Sequence, residues 1–222
     1  MQNLTLIQTI AVWIVPILLA ITLHEAAHAL VANWCGDNTA KKLRRLSMNP
    51  LRHIDLVGTV LVPIVVALIS QFQFVFGWAK PVPINWYQLR NPRRDMALVA
   101  AAGPVSNIIM ALIWASCMKA GLLLNPGTSL FAMYMVLTGQ AGIFINLVFA
   151  LLNLIPVPPL DGSRVLASIF PPKMASYYMM LESFGFLIVF LLLFTGVLGW
   201  MLDGPLSWSV NFIYSLFNIR YG

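Results

Sequence analysis

The first apolar stretch of the chain carries three ionisable side chains in its interior. Residues 4–32 are almost entirely apolar, and this length suffices for a helix that crosses a bilayer. Inside the stretch lies the pentad His24-Glu25-Ala26-Ala27-His28. Because four residues advance a helix by about 400°, His24 and His28 share one face, about one turn apart. Ionisable groups are costly inside a membrane segment, so we interpret these three as functional.

The spacing of the pentad is typical of a zinc site. Two imidazoles one turn apart can bind one zinc ion, and Glu25 beside them can reach a metal-bound water as a general base. The same pentad also occurs by chance in soluble proteins. An alternative is therefore that the three polar side chains only form hydrogen bonds between helices.

The composition indicates a polytopic membrane protein. Of the 222 residues, 60% are hydrophobic and 9% are charged. This composition predicts an all-α membrane fold with four to six membrane segments. The net charge of +6 fits basic loops that face a cytoplasm and an anionic leaflet, so we expect the lipid bilayer and no nucleic acid as a partner. Cys35 and Cys117 lie far apart, which supports neither a disulfide framework nor a cysteine zinc site.

We expect one integral-membrane domain over residues 1–222, with a core at 4–172 and a C-terminal part at 182–219. The predicted spans are Leu4–Trp34, Met96–Lys119, Ser129–Ile155 and Glu182–Leu202. Residues 206–219 are rich in aromatic side chains and predict an interfacial helix, with a last short span as the alternative.

Two polar loops, 37–56 and 77–95, flank the apolar stretch 56–76. If 56–76 crosses the membrane, twelve basic residues are divided evenly, with six on one side (Lys41, Lys42, Arg44, Arg45, Arg52 and Lys119) and six on the other (Lys80, Arg90, Arg93, Arg94, Arg164 and Lys173). If it re-enters or forms a hairpin, eleven of these twelve lie on one side and only Lys119 opposes them, as the positive-inside rule favours. We therefore predict a re-entrant or hairpin element at 56–76, short extended segments in the loops at the cytoplasmic face, and a pentad near that face.

Catalytic zinc commonly has three protein ligands and one position open for water, so a third ligand is expected. The remaining candidates are Asp37, Asp55, Asp95, Asp161, Glu182, Asp203 and His53. Asp37, Asp55 and Asp95 lie in basic loops, where we expect surface salt bridges. Glu182 begins a predicted span, where an acid suits the helix N-terminus, and Asp203 precedes a Gly-Pro pair that predicts a helix end and turn.

Asp161 follows a segment that prolines break. Pro156, Pro158 and Pro159 open the helical backbone at membrane depth, which is tolerated where the backbone lines a cavity or is buried in protein. Such a segment can bring the Asp161 carboxylate and the Asn153 amide to the pentad. Two alternatives stay open: Asp161 only caps the helix after the prolines, or His53 is the third ligand.

Taken together, these motifs resemble the site-2 proteases, a family of intramembrane zinc metalloproteases. The resemblance covers residues 20–172 and rests on the pentad, on Gly77-Trp78-Ala79-Lys80-Pro81-Val82-Pro83, on Ala102-Gly103-Pro104-Val105-Ser106-Asn107 and on Asn153 with Leu160-Asp161-Gly162. The stretches 49–55 and 77–85 resemble the compact bacterial and archaeal branch, and the chain has no region long enough for a PDZ domain.

The resemblance implies that His24, His28 and Asp161 bind Zn²⁺ and that Glu25 activates the water. It also implies that Asn153 binds the substrate backbone or the developing oxyanion. The implied substrates are transmembrane proteins or peptides, cut to release a regulator or to clear remnant peptides. The implied location is a prokaryotic inner membrane, with several spans and the active site toward the cytoplasm.

Further residues between the pentad and Asp161 have expected structural or substrate-binding roles. For Asn107 we expect a structural hydrogen bond to a neighbouring backbone, and for Gly103-Pro104 close helix packing. We expect the polar loops to hold an extended substrate strand by backbone pairing. A metal transporter would show repeats or metal sites along a path, and an inactive scaffold would lack Glu25 or a ligand; the sequence shows neither. It carries no signal for an oligomeric state.

Overall fold

The computed structural model describes residues 4–47 and 80–219, together with the single positions 49, 58, 61 and 65. Within the two long ranges all regular secondary structure is helical, which confirms the predicted all-α class. The candidate ligand His53, the acid Asp55 and nearly all of the predicted re-entrant element at 56–76 lie outside the described residues.

The helices follow the predicted apolar stretches closely in the first three quarters of the chain. In chain order they are α1 (Leu6–Trp34), α2 (Thr39–Lys42), α3 (Pro92–Leu123), α4 (Leu130–Leu154), α5 (Asp161–Ile169), α6 (Pro172–Met180), α7 (Gly185–Phe194) and α8 (Val197–Leu216). Short 3₁₀ turns cover Trp86–Gln88 and Leu181–Phe184. Four helical stretches of the described chain are long and apolar enough to cross a membrane: α1, α3, α4 and the combined stretch Pro172–Phe194. This is the arrangement of a multi-pass membrane protein.

Local capping chemistry sets where the long helices begin. The Thr5 side chain accepts a hydrogen bond from the Gln8 N–H, and the Gln8 side chain accepts one from the Thr5 N–H, which forms a capping box at α1. The Ser129 hydroxyl accepts from the Ala132 N–H at the start of α4. Pro92 is the first residue of α3, where its missing N–H has no cost.

Helix α3 lies at the centre of the bundle. It packs against α1, α4, α5 and α8, and its contact with α4 is the most extensive. Small residues make that contact close: a Cβ on Gly142 of α4 would lie 2.2 Å from the Trp114 ring of α3. This is the packing expected between membrane helices, which approach where side chains are small. α3 therefore contacts both α1 and α5, two helices that lie far apart in the sequence.

The C-terminal part differs from the sequence prediction. The helix expected at Glu182–Leu202 ends at Phe194 with Thr195 as its C-cap, because Gly196 adopts a left-handed conformation with a φ of 76°. The turn predicted at Asp203 is wrong, since Asp203 lies inside α8 together with Pro205. The buried Ile213 joins α8 to the core cluster between α3 and α4. The interfacial position of residues 206–219 stays a prediction.

Candidate metal centre

Two histidines lie on the buried face of α1. His24 is 8% exposed and His28 is 6% exposed, and their rings meet edge to face with centroids 4.7 Å apart. The two Nε2 atoms are 3.1 Å apart. The predicted spacing of one helical turn therefore places both ring nitrogens at a single point in the bundle.

Asp161 reaches the same point from a distant part of the sequence. The proline-broken segment after Leu154 turns the chain back, so that α5 begins at Asp161 and packs against α3. Its Oδ2 atom lies 3.2 Å from the Nε2 atom of His24 and 3.3 Å from that of His28. The N-cap residue of α5 is Leu160, and Asp161 is the first residue inside the helix, so capping of α5 does not account for the position of its side chain.

The outer nitrogens of the two rings face oxygen atoms. Nδ1 of His28 lies 2.7 Å from the Val99 carbonyl, which can only accept, so this Nδ1 donates. Nδ1 of His24 lies 2.6 Å from Oδ1 of Asn107, which is also an acceptor. With a proton on each Nδ1, the neutral rings present lone pairs at Nε2. Outer partners of this kind typically orient the histidine ligands of metal ions.

The Nε2 atoms of His24 and His28 and the Oδ2 atom of Asp161 therefore all offer lone pairs that can bind a cation. Among the described residues, no group donates a hydrogen bond to the buried Oδ2 atom of Asp161. The triangle that it forms with the two Nε2 atoms has edges of 3.1 to 3.3 Å. Around a tetrahedral zinc ion with ligands at about 2.0–2.1 Å, neighbouring ligand atoms lie about 3.3–3.4 Å apart. The residues thus fit zinc in donor type and spacing, and one coordination position is left for water or substrate.

Without a metal, a proton on Nε2 of His24 or His28 can point to Asp161 instead. Burial raises the pKa of the Asp161 carboxyl, but hydrogen bonds and positive charge from rings protonated in this way outweigh burial and lower the pKa to about 2. The carboxyl is therefore ionised at neutral pH, which is the form that binds metal.

Gly103 of α3 closes the centre from a third side. A Cβ at this position would lie 2.4 Å from Nε2 of His28 and 2.6 Å from Nε2 of His24. As predicted, Gly103 permits close packing near the pentad, and the groups that pack against it are the two imidazole rings. Only a residue without a side chain leaves the ligand nitrogens free.

We expect Gly103→Ala to lower the zinc affinity of the purified protein by about tenfold or more, the range seen when groups around a metal are disturbed. The added methyl group would push both imidazoles away from Asp161. Zinc content after dialysis against a graded series of chelator concentrations measures the effect. Gly199→Ala is the matched control, because a Cβ there meets no atom within 4 Å. Equal zinc binding in both variants would show that the metal does not lie at this face of α3.

Glu25 of the pentad points to a different neighbour. Its Oε2 atom accepts a hydrogen bond of 2.8 Å from the Val82 N–H. Pro81 and Pro83 carry no N–H, so the Val82 N–H is the one backbone donor of residues 81–83, and it donates to Glu25. The side chain of Val82 is buried against Ala29 of α1. Residues 81–83 thus contact the pentad through their backbone, and they have no N–H left to pair with a substrate strand.

The two amides predicted from the sequence lie in different settings. Asn107 donates to the Ala20 carbonyl at 3.2 Å, as expected of a structural residue, and also contacts His24. Asn153 lies in the last turn of α4 and donates to the Phe149 carbonyl at 3.0 Å. Within the described residues Asn153 makes no hydrogen bond to the histidines or to Asp161, and its role in substrate binding stays a prediction.

Two acids from the predicted polar loops accept hydrogen bonds from backbone N–H groups. The prediction of surface salt bridges for Asp37 and Asp95 is wrong: both are buried. Asp37 accepts from the N–H groups of Thr39 and Asn85 at 2.8 and 2.7 Å, and Asp95 accepts from the Asn91 N–H at 2.8 Å. Free N–H groups at turns and helix starts are fixed in place and bind a carboxylate at a lower entropic cost than a mobile lysine does.

The sequence reasoning missed Asn146 of α4. It is completely buried, its Oδ1 atom accepts from the Asn107 amide at 2.9 Å, and its own amide donates to the Gly142 carbonyl. An amide in the middle of an apolar span was the available signal, because such a group requires partners inside the membrane.

Comparison with known proteins gives relatives that share one description. A protein of Bacillus subtilis named "Putative zinc metalloprotease YwhC" is 40% identical over 194 residues, which cover 84% of this chain and 81% of the relative. "Putative zinc metalloprotease Rip2" of Mycolicibacterium smegmatis is 26% identical over 90% of this chain and 71% of its own length. "Putative zinc metalloprotease MJ0611" of Methanocaldococcus jannaschii is 37% identical over 42% of this chain and 46% of its own length.

No protein-family model matches the chain, and no solved structure does. The identity to the Bacillus subtilis relative extends over most of both chains. The chain therefore belongs to the zinc metalloprotease family of these relatives, a compact family like the site-2 proteases, with zinc as its cofactor.

Proposed function

We propose that this protein is an intramembrane zinc metalloendopeptidase of the site-2 type. It hydrolyses peptide bonds in or near the transmembrane segments of membrane proteins. The observation that carries the proposal is the position of the metal centre: His24 and His28 belong to a helix long and apolar enough to span a membrane, and Asp161 meets them inside the bundle. A hydrolytic centre at this depth favours substrates that are themselves in the bilayer.

In this proposal His24, His28 and Asp161 hold the zinc ion. When bound, zinc supplies a water of lowered pKa and polarises the carbonyl of the scissile bond. Glu25 accepts the proton of the attacking water and passes it to the leaving amine. The Val82 N–H donates to Oε2 of Glu25, so Oε1, which lacks this contact, is the oxygen proposed to take the proton.

Asn153 is the proposed donor to the developing oxyanion or to the substrate backbone. Its amide lies eight positions before Asp161, in the turn of α4 that leads into the proline-broken segment. A substrate helix has its carbonyl groups hydrogen-bonded along its own axis, so the segment must unwind locally before attack. A carboxamide beside the unwound segment can replace one of the lost hydrogen bonds.

The proposed orientation places the centre toward the cytoplasm of a prokaryotic inner membrane. Of the basic residues in the described chain, most lie in the loops beside the C-terminal end of α1 and the N-terminal end of α3. His24 and His28 lie in the C-terminal half of α1, close to that basic end. The positive-inside rule then supports a cytoplasmic opening. The released products would be a soluble regulator or a fragment of a remnant peptide.

The test is zinc content together with cleavage of a generic transmembrane peptide in detergent or lipid. We expect about one zinc per chain, as in single-zinc hydrolases, and cleavage that stops when a chelator removes the metal and returns with added zinc. Cleavage that persists in zinc-free protein would contradict the proposal. So would a zinc-loaded protein that transports metal across vesicles and cleaves no membrane peptide.

A further inference from the structure

Two buried asparagines form a series of hydrogen bonds that begins at His24 and crosses the bundle. Asn107 and Asn146 are both 0% exposed. His24 Nδ1 lies 2.6 Å from Asn107 Oδ1, Asn107 Nδ2 donates to Asn146 Oδ1 at 2.9 Å, and Asn146 Nδ2 donates to the Gly142 carbonyl at 2.9 Å. This series of hydrogen bonds connects α1, α3 and α4 through side chains, and its last hydrogen bond is to a backbone carbonyl of α4.

The backbone at the end of this series fixes the direction of every hydrogen bond in it. The Gly142 carbonyl only accepts, so the NH₂ group of Asn146 faces it and the oxygen of Asn146 faces Asn107. The NH₂ group of Asn107 must then face Asn146, and it also meets the Ala20 carbonyl at 3.2 Å. Inverting either amide would bring two acceptors or two donors into contact in a buried site and leave buried polar groups without a partner, which is unfavourable.

We propose that Asn146 is a positioning residue for the metal centre. It holds the Asn107 amide with its oxygen toward His24, which keeps the His24 proton on Nδ1 and the Nε2 lone pair toward Asp161. The proposal rests on the proposed function, since it takes His24 as a metal ligand. His28 needs no such device, because its Nδ1 donates directly to the Val99 carbonyl.

The consequence is an unequal dependence of the two histidines on side chains. The proton of His28 is placed by backbone, which substitution does not remove. The proton of His24 is placed by the Asn107 side chain, which is oriented by the Ala20 carbonyl at 3.2 Å and, at the shorter distance of 2.9 Å, by Asn146, a residue of α4 that contacts neither histidine by a hydrogen bond. A substitution on α4 should therefore alter metal binding at α1.

The test measures zinc affinity of the full-length purified protein by competition with a chelator of known affinity. Asn146→Leu removes the acceptor for Asn107, and we expect weaker zinc binding by about tenfold or more, as for other outer partners of metal ligands. Asn146→Asp in its protonated form donates to Gly142 and accepts from Asn107, so we expect affinity within about threefold of wild type. Cobalt substitution provides a second readout, because the absorption spectrum of bound Co²⁺ reports whether the ligand set is intact.

Thr138→Val is the control for disturbance of α4. Thr138 is buried on the same helix, and its hydroxyl has no hydrogen-bond partner in the part of the chain that the structure describes, so its loss should leave zinc affinity unchanged. If Asn146→Leu cannot be purified folded, Asn146→Ala removes the same acceptor and carries the same expectation. Wild-type affinity in the leucine or alanine variant would overturn the inference, as would equal losses in these variants and in Thr138→Val. Absence of zinc from the wild type would instead overturn the proposed function.

Discussion

Glu25→Gln is expected to lower cleavage of a transmembrane peptide by about 10²–10⁴-fold, the contribution usual for a general base. Glutamine keeps the length of the side chain and an oxygen that can accept from the Val82 N–H, so the contact of 2.8 Å can persist. Its amide cannot take a proton from water. Zinc content and thermal stability should therefore stay at wild-type values while turnover falls. The measurement is the initial cleavage rate, with zinc determined on the same samples.

Asp203→Asn is the matched control for this change, because it also converts a carboxylate into an amide. Asp203 is exposed on α8, and we expect wild-type cleavage from the variant. Near-normal turnover in Glu25→Gln would remove Glu25 from the role of general base. Loss of zinc together with turnover would instead show that Glu25 supports the ligands and not the proton transfer.

The helical framework was largely predictable because it follows from local chemistry. Apolar runs long enough to cross a bilayer and capping residues such as Thr5 and Ser129 determine α1 and α4 almost to the residue. The pentad was recognisable for the same reason, since two histidines four residues apart share a helix face without help from any other segment. Asp161 could be selected because the chain offers few acids and prolines break the helix just before it.

The connections between helices could not be predicted in the same way. That Asn107 lies against both His24 and Asn146 depends on how three helices pack, which no single stretch encodes. The end of α7 was placed wrongly because Gly196 and the Gly-Pro pair after Asp203 are both helix-breaking signals. Only the packing of α8 on α4 shows that the helix ends at the first of them and continues through the second.

Asp161→Ala is expected to reduce bound zinc from about one per chain to a small fraction of it, because catalytic zinc commonly needs three protein ligands. The Oδ2 atom lies within 3.3 Å of both ring nitrogens, and the variant removes the only negative charge among the three atoms. Two neutral imidazoles would remain. Elemental analysis after dialysis against a weak chelator measures the loss, and cleavage should fall with it.

Comparison with His53→Ala gives this prediction its discriminating power, because His53 was the second candidate from the sequence and lies outside the described residues. We expect that variant to keep its zinc. Asp161→Asn adds a finer distinction: it keeps the shape of the side chain but removes its charge, so intermediate zinc binding would show that charge contributes as much as geometry. Full zinc in Asp161→Ala together with loss in His53→Ala would transfer the third ligand to His53. The contact of Asp161 with both histidines would then be a hydrogen-bonded anchor for α5, and the catalytic role of the proline-broken segment would fall with it.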